Sequence, residues 1–118
     1  MTILLVHGKK DILKQLKQLV EECYPDSAVS AFSGAEEALE VIRKNGKQID
    51  LCFAETKMQG VSGLRLIEEL RRRNRQAKAV LIAQDKEFVL EGWRIGINDY
   101  LIEPLTKESI HHVRLSCK

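Results

Sequence analysis

Two hydrophobic rhythms alternate along the chain. Residues 3–6 (Ile3, Leu4, Leu5, Val6) form a short unbroken apolar run ending at His7 and Gly8, the pattern of a strand covered on both faces. Over residues 10–24 the apolar positions Ile12, Leu16, Leu19 and Cys23, with Leu13 and Val20 beside them, recur at helical spacing and leave Lys14, Gln18 and Glu21 for water. Pro25 and Asp26 break that helix, and residues 28–32 alternate as a second strand. Ser33 and Glu36 have the spacing of a capping box, predicting a helix over residues 35–44 that Gly46 stops. Residues 49–54 are a third buried run, with Glu55 at its carboxyl end.

After a glycine-containing loop over residues 58–63, Leu64, Ile67 and Leu70 predict a helix capped by Ser62, its last turn rich in arginine from Arg71 to Arg75. Residues 79–83 read as a fourth strand. Asp85 is placed to cap a short helix that carries Val89, Leu90 and Trp93 toward the core and ends at Gly96. Residues 99–102 give a fifth strand. Glu103, Pro104 and Leu105 then turn into a last helix with Ile110, Val113 and Cys117 on one face. Five strand–helix alternations specify an α/β fold, a doubly wound five-stranded parallel sheet with right-handed crossovers. Chemistry in such a sheet gathers outside the carboxyl ends of the strands, which singles out His7, Gly8, Glu55, Ala83 and Glu103.

The 118 residues suit one domain, expected to span residues 1–118. A net charge of +2 from 19 basic and 17 acidic side chains is too small for a strong nucleic-acid field, so direct nucleic-acid binding is not expected. The arginines of residues 71–75 are accounted for by the negative end of their helix dipole. Cys23, Cys52 and Cys117 lack metal-ligand spacing and read as reduced thiols. No apolar run reaches the length of a membrane span and no signal-peptide pattern opens the chain, so a cytoplasmic protein without membrane contact is expected.

The segments Ile3-Leu4-Leu5-Val6, Asp50-Leu51, Met58-x-Gly60-x-Ser62-Gly63-Leu64 and Gly96-x-x-Asp99-Tyr100-Leu101-x-x-Pro104 together resemble the receiver domain of two-component response regulators, over nearly the whole chain. The resemblance implies a (βα)5 flavodoxin-like architecture. It also implies a site in which two adjacent acids after the first strand and an aspartate after the third hold a divalent cation, and that aspartate accepts phosphate. In this chain the acidic pair is matched by His7 and Gly8, the phosphoacceptor by Glu55, the switch positions by Ala83 and Tyr100, and the phosphate-binding lysine by Glu103. Pro104 matches a site where the family often carries a cis bond, and cis is expected here.

An imidazole and a bare backbone in place of two carboxylates remove most of a hard cation's oxygen cradle, so neither magnesium nor any other cofactor is expected. Ala83 offers no hydroxyl to a phosphoryl group, and Glu103 would repel one. The expectation is a phosphorylation-independent pseudo-receiver, not an enzyme. It would act by protein contacts, on a partner or on its own output domain downstream, through the face of the fourth helix, fifth strand and fifth helix. The resemblance points to transcription as the output and to homodimerisation through the same face. Two alternatives remain: a working phosphoacceptor that uses Glu55 or another site, and a small-ligand sensor that uses the vacated pocket beside Gly8 and Ala83. A histidine converging with Glu55 and Glu103 could also hold a transition metal, although a hydrogen-bonded histidine between two acids is the plainer reading.

Overall fold

The computed structural model describes residues 1–113. Its elements in chain order are β1 (Thr2–Val6), α1 (Lys10–Cys23), β2 (Ala28–Phe32), α2 (Ala35–Asn45), one 3-10 turn (Gly46–Gln48), β3 (Leu51–Glu55), α3 (Gly63–Arg73), β4 (Lys78–Ala83), α4 (Val89–Arg94), β5 (Asp99–Ile102) and α5 (Lys107–His111). All strand pairs are parallel, in the order β2-β1-β3-β4-β5. Because the order turns back at β1, helices cover both faces, and the unbroken apolar runs of β1, β3 and β4 are buried from both sides. β2, at an edge, keeps every second residue nearer to water.

The sheet's alternation splits the core in two. Leu4, Val6, Ala54 and Leu81 pack against α2 and α3 through Leu39, Ile42, Ile67 and Leu70. Ile3, Leu5, Phe53 and Ile82 point the other way, onto Leu13, Leu16 and Val20 of α1 and Ile110 of α5. The buried stripe of α1 is thus centred on Leu13, Leu16 and Val20, with Ile12, Leu19 and Cys23 half-covered at its margins. Val113 packs at the edge of this second cluster, and Cys117 lies outside the described residues.

Three local expectations are corrected. The capping box at Ser33 is not made: α2 starts at Ala35 as expected, but its N-cap residue is Gly34 and no side chain caps its first turn. Gly46 does end α2 as expected, being its C-cap residue, and at φ −56° the chain passes from it into the 3-10 turn. Asp85 takes the amide of Glu87 in a tight turn rather than capping α4, whose N-cap residue is Phe88. Finally, α4 does not turn Leu90 and Trp93 inward, for they are 68% and 49% exposed. Its buried residue is Gly92, where a Cβ would stand 2.7 Å from Ile97 and 3.0 Å from Leu81. A glycine there lets the short helix lie directly on the sheet, so its larger side chains point sideways and out. The Ser62 cap on Arg65 is present as expected, and α5 gains a reciprocal Thr106–Ser109 cap that sequence reading had not identified.

Candidate functional site

Parallel strands bring every carboxyl end to one rim. His7 follows β1, Glu55 ends β3, Ala83 ends β4 and Glu103 follows β5, so four of the five singled-out positions arrive there by topology alone and Gly8 is the next residue along. His7 is fully buried and Glu55 is 9% exposed. The Glu103–Pro104 bond is cis, as expected.

The imidazole of His7 lies between two carboxylates and contacts them unequally. Nε2 is 2.6 Å from Glu103 Oε2, while Nδ1 is 3.5 Å from Glu55 Oε1. The amide of Lys9 donates to Nδ1 at 3.1 Å, which requires a lone pair there and places the ring proton on Nε2, donating to Glu103. Glu55 Oε1 instead accepts the amide of Gly8 at 2.9 Å. A Cβ at position 8 would come within 3.2 Å of that same oxygen. Gly8 and Glu55 are therefore matched: the longer acid reaches over ground that a side chain at position 8 would occupy.

Magnesium, which the fold family implies, does not fit these residues. It demands near-octahedral oxygen ligands, and of the three positions only Glu55 supplies a carboxylate. At Gly8 the rim presents a positively polarised N–H, aimed at the one oxygen the cation would need. The transition-metal reading fares little better. Ligand atoms of His7, Glu55 and Glu103 lie within 4.8 Å of one another, but Nδ1, Nε2 and Glu55 Oε1 are each engaged in a hydrogen bond. Among the described residues no buried side-chain nitrogen or oxygen lacks a partner.

Beside this cluster lies a cavity of about 320 Å³ lined by Lys9, Glu55, Thr56, Lys57, Ala83, Gln84 and Asp85. Its Ala83 wall, 4% exposed, carries no hydroxyl. The cation nearest by sequence to the acid, Lys57, turns outward to Glu87 at 2.7 Å, an ion pair that raises its pKa. Tyr100 donates its hydroxyl hydrogen to the Asp85 carbonyl at 2.9 Å and accepts the Phe88 amide at 3.4 Å, which fixes the ring to the β4–α4 connection. Burial pushes the Tyr100 phenol upward.

The structure brings His7, Gly8, Glu55, Ala83 and Glu103 together and sets Tyr100 at their margin. Lys9 and Thr56 were missed. Lys9 acts through its amide, which no side-chain pattern reveals, whereas buried Thr56 directly after Glu55 was available to reading. His112 bonds its own helix at the Glu108 carbonyl, and both it and His111 are exposed. No helix among the described residues is long and apolar enough to cross a membrane.

The response regulator receiver domain family matches residues 3–114. Among curated proteins, the chain is 28% identical to the two-component response regulator ARR12 of Arabidopsis thaliana over 96% of its own length and 19% of that protein's. It is 26% identical to the transcriptional regulatory protein CitT of Halalkalibacterium halodurans over 92% of the chain and 48% of CitT. The chain thus spans from about a fifth to about half of these relatives. A crystal structure of a response regulator receiver domain protein from Clostridium thermocellum superposes with a TM-score of 0.82 at 22% identity, covering 93% of this chain and 87% of that one. With its β2-β1-β3-β4-β5 sheet and a family match across nearly all its residues, this chain belongs to the response regulator receiver domain family.

Proposed function

We propose that this domain is a phosphorylation-independent receiver that regulates an output through protein contacts. One observation carries the proposal: at the place where a receiver exchanges phosphate, a carboxylate tied to the Gly8 amide shares its buried rim with a second carboxylate held by His7. Phosphoryl transfer is catalysed almost wholly by positioned cations, since the transferred group's negative charge must be neutralised as it moves. Here the oxygen ligands for a divalent cation are reduced to one, and Glu103 adds negative charge where the family has a lysine. The hydrogen bonds that stand in place of metal and phosphate join the end of β1 to β3 and to the end of β5 without any modification.

The contact surface is the α4–β5–α5 side. Leu90, Trp93 and Ile102 expose 68%, 49% and 39% of their areas there, and large apolar side chains grouped on a domain's exterior suit a protein partner. Transcription is the output this reading favours, in line with the regulators it matches. The partner is then an output domain of the same polypeptide, a second receiver or a separate effector.

The test is incubation with acetyl phosphate and Mg²⁺, followed by intact mass measurement. No metal-dependent gain of a phosphoryl group is expected. A stable gain that Glu55→Gln abolishes would establish a working phosphoacceptor instead.

A further inference from the structure

At the opposite end of the sheet, the C-terminal turns of α3 and α4 flank a wide, open cleft of about 500 Å³ lined by Arg71, Arg72, Arg75, Arg94, Glu68 and Ile95. The sequence explains these arginines as a helix end offsetting its dipole, and for part of the run that suffices. Arg72 and Arg73 both reach Glu69, at 3.5 and 3.1 Å. Arg71 is fixed as the floor of the cleft: Nε donates to the Ala77 carbonyl at 2.8 Å and Nη2 to Asn98 Oδ1 at 3.1 Å. Gly96, at φ +81°, passes so close beneath it that a Cβ would stand 3.2 Å from Nη1.

Arg75 and Arg94 are left over. They come from two different helix ends, and among the described residues neither has a carboxylate partner. Glu68, the two helix C-termini and Glu69, which pairs with Arg72, offset part of the positive charge around the cleft, and Arg75 and Arg94 supply the rest. Two guanidinium groups without a carboxylate partner attract an anion, and a phosphoryl group carries about −1.5 to −2 at neutral pH. Guanidinium forks also suit its oxygens in shape.

We propose that this cleft binds a small ligand bearing one or two phosphoryl groups, held by Arg75 and Arg94 over the fixed guanidinium of Arg71. The site is on the rim opposite Glu55, so it neither uses nor tests the phosphoacceptor position. No aromatic side chain lines the cleft, so recognition rests on the phosphate and not on a stacked base. Arg71 and Asn98 link the cleft to the start of β5, and α4, which forms one wall, carries exposed Trp93. Occupancy therefore bears directly on the face assigned to partners.

The test is calorimetric titration of the whole chain with inorganic pyrophosphate, with sulfate and chloride at matched ionic strength as references. Pyrophosphate is expected to bind, and Arg75→Gln and Arg94→Gln each to weaken it about tenfold or more, as expected for loss of a hydrogen bond between charged groups. The same neutralisation on α1, Lys10→Gln with Lys14→Gln, is expected to change affinity less than about twofold, since it alters net charge away from the cleft. Circular dichroism checks that each variant is folded. Absence of binding, sulfate binding as tightly as pyrophosphate, or equal weakening by the α1 pair would each overturn the proposal. So would tight binding of a short oligonucleotide that pyrophosphate fails to displace. A nucleoside diphosphate binding as inorganic pyrophosphate does would support recognition through phosphate alone.

Discussion

His7 Nε2 and Glu103 Oε2 lie 2.6 Å apart, joining the end of β1 to the end of β5 across the two strands between them. The histidine is fully buried, so its N–H has no water to fall back on. Glu103→Ala removes the acceptor and is expected to cost about 1–3 kcal/mol in urea denaturation, the penalty for a buried donor left unpaired. Glu103→Gln keeps a carbonyl oxygen in reach and should cost less. A Glu103→Ala protein as stable as wild type would show that this bond does not hold the rim together.

The match between Gly8 and Glu55 leads to a second expectation. With Glu55 present, Gly8→Asp puts a Cβ about 3.2 Å from Oε1 and adds a like charge, so it should destabilise. Glu55→Asp withdraws the carboxylate by one methylene and should relieve part of that cost, a coupling that a double-mutant cycle measures. The triple variant His7→Asp, Gly8→Asp, Glu55→Asp rebuilds three oxygen donors and is expected to bind Mg²⁺ in calorimetry where wild type does not. Equal Mg²⁺ binding by both would contradict the account given of this rim.

Two glycines should separate by severity. At Gly63 a Cβ would lie 2.1 Å from the backbone oxygen of Glu55, a clash that only backbone movement relieves. At Gly92 it would meet side-chain tips of Ile97 and Leu81, at 2.7 and 3.0 Å, which have some freedom to shift. Gly92→Ala should therefore cost about 1–3 kcal/mol, as overpacking does. Gly63→Ala should cost more, and should disturb Glu55 itself. Denaturant midpoints rank the two.

The strands were legible because a buried parallel strand needs an unbroken apolar run, and residues 3–6, 51–54 and 79–83 supply one each, although exposed Asp50 moves the start of β3 to Leu51. Once the sheet is parallel, the convergence of His7, Glu55 and Glu103 follows. Amides are not legible: nothing in the letters says that Gly8 and Lys9 aim N–H groups at Glu55 and His7. Nor was the orientation of α4. A six-residue helix has too few turns for periodicity to define an inner face, and the deciding residue, Gly92, has no side chain to signal burial. Ser33 failed as a cap for a related reason. The N-cap position falls on Gly34 and leaves the Ser33 hydroxyl outside the first turn, while the Glu37 side chain folds back beside Gly34.

Trp93 is the single tryptophan of the chain and therefore a clean probe of the proposed partner face. At 49% exposure its fluorescence should be quenched readily by acrylamide in the folded protein. Trp93→Ala should cost about 1–2 kcal/mol, less than truncating a core aromatic, because only half of the residue is covered. Titration with a partner, or concentration of the domain itself if it dimerises, should reduce quenching. Protection of Trp93 in the isolated, dilute domain would mean that the ring is core after all.

Glu69 ties α2 to α3 and makes stability depend on pH. Its carboxylate, 9% exposed, faces Arg43 at 3.7 Å, Arg72 at 3.5 Å and Arg73 at 3.1 Å. Burial alone would raise its pKa, but the Arg73 hydrogen bond and the three positive charges outweigh burial and hold it below the ordinary 4.5. As acid is added, the unfolded chain thus takes up this proton before the folded one does. The ion-pair contribution is complete above about pH 4.5 and is lost as pH falls through the lower folded value. Glu69→Gln should be less stable than wild type at neutral pH, and the gap should close as the pH drops below the carboxylate range. Salt should narrow it as well, because Arg72 is 73% exposed and easily screened. Urea midpoints of both proteins across pH at two ionic strengths test this, and a gap that stays constant with pH would show that Glu69 acts by packing rather than by charge.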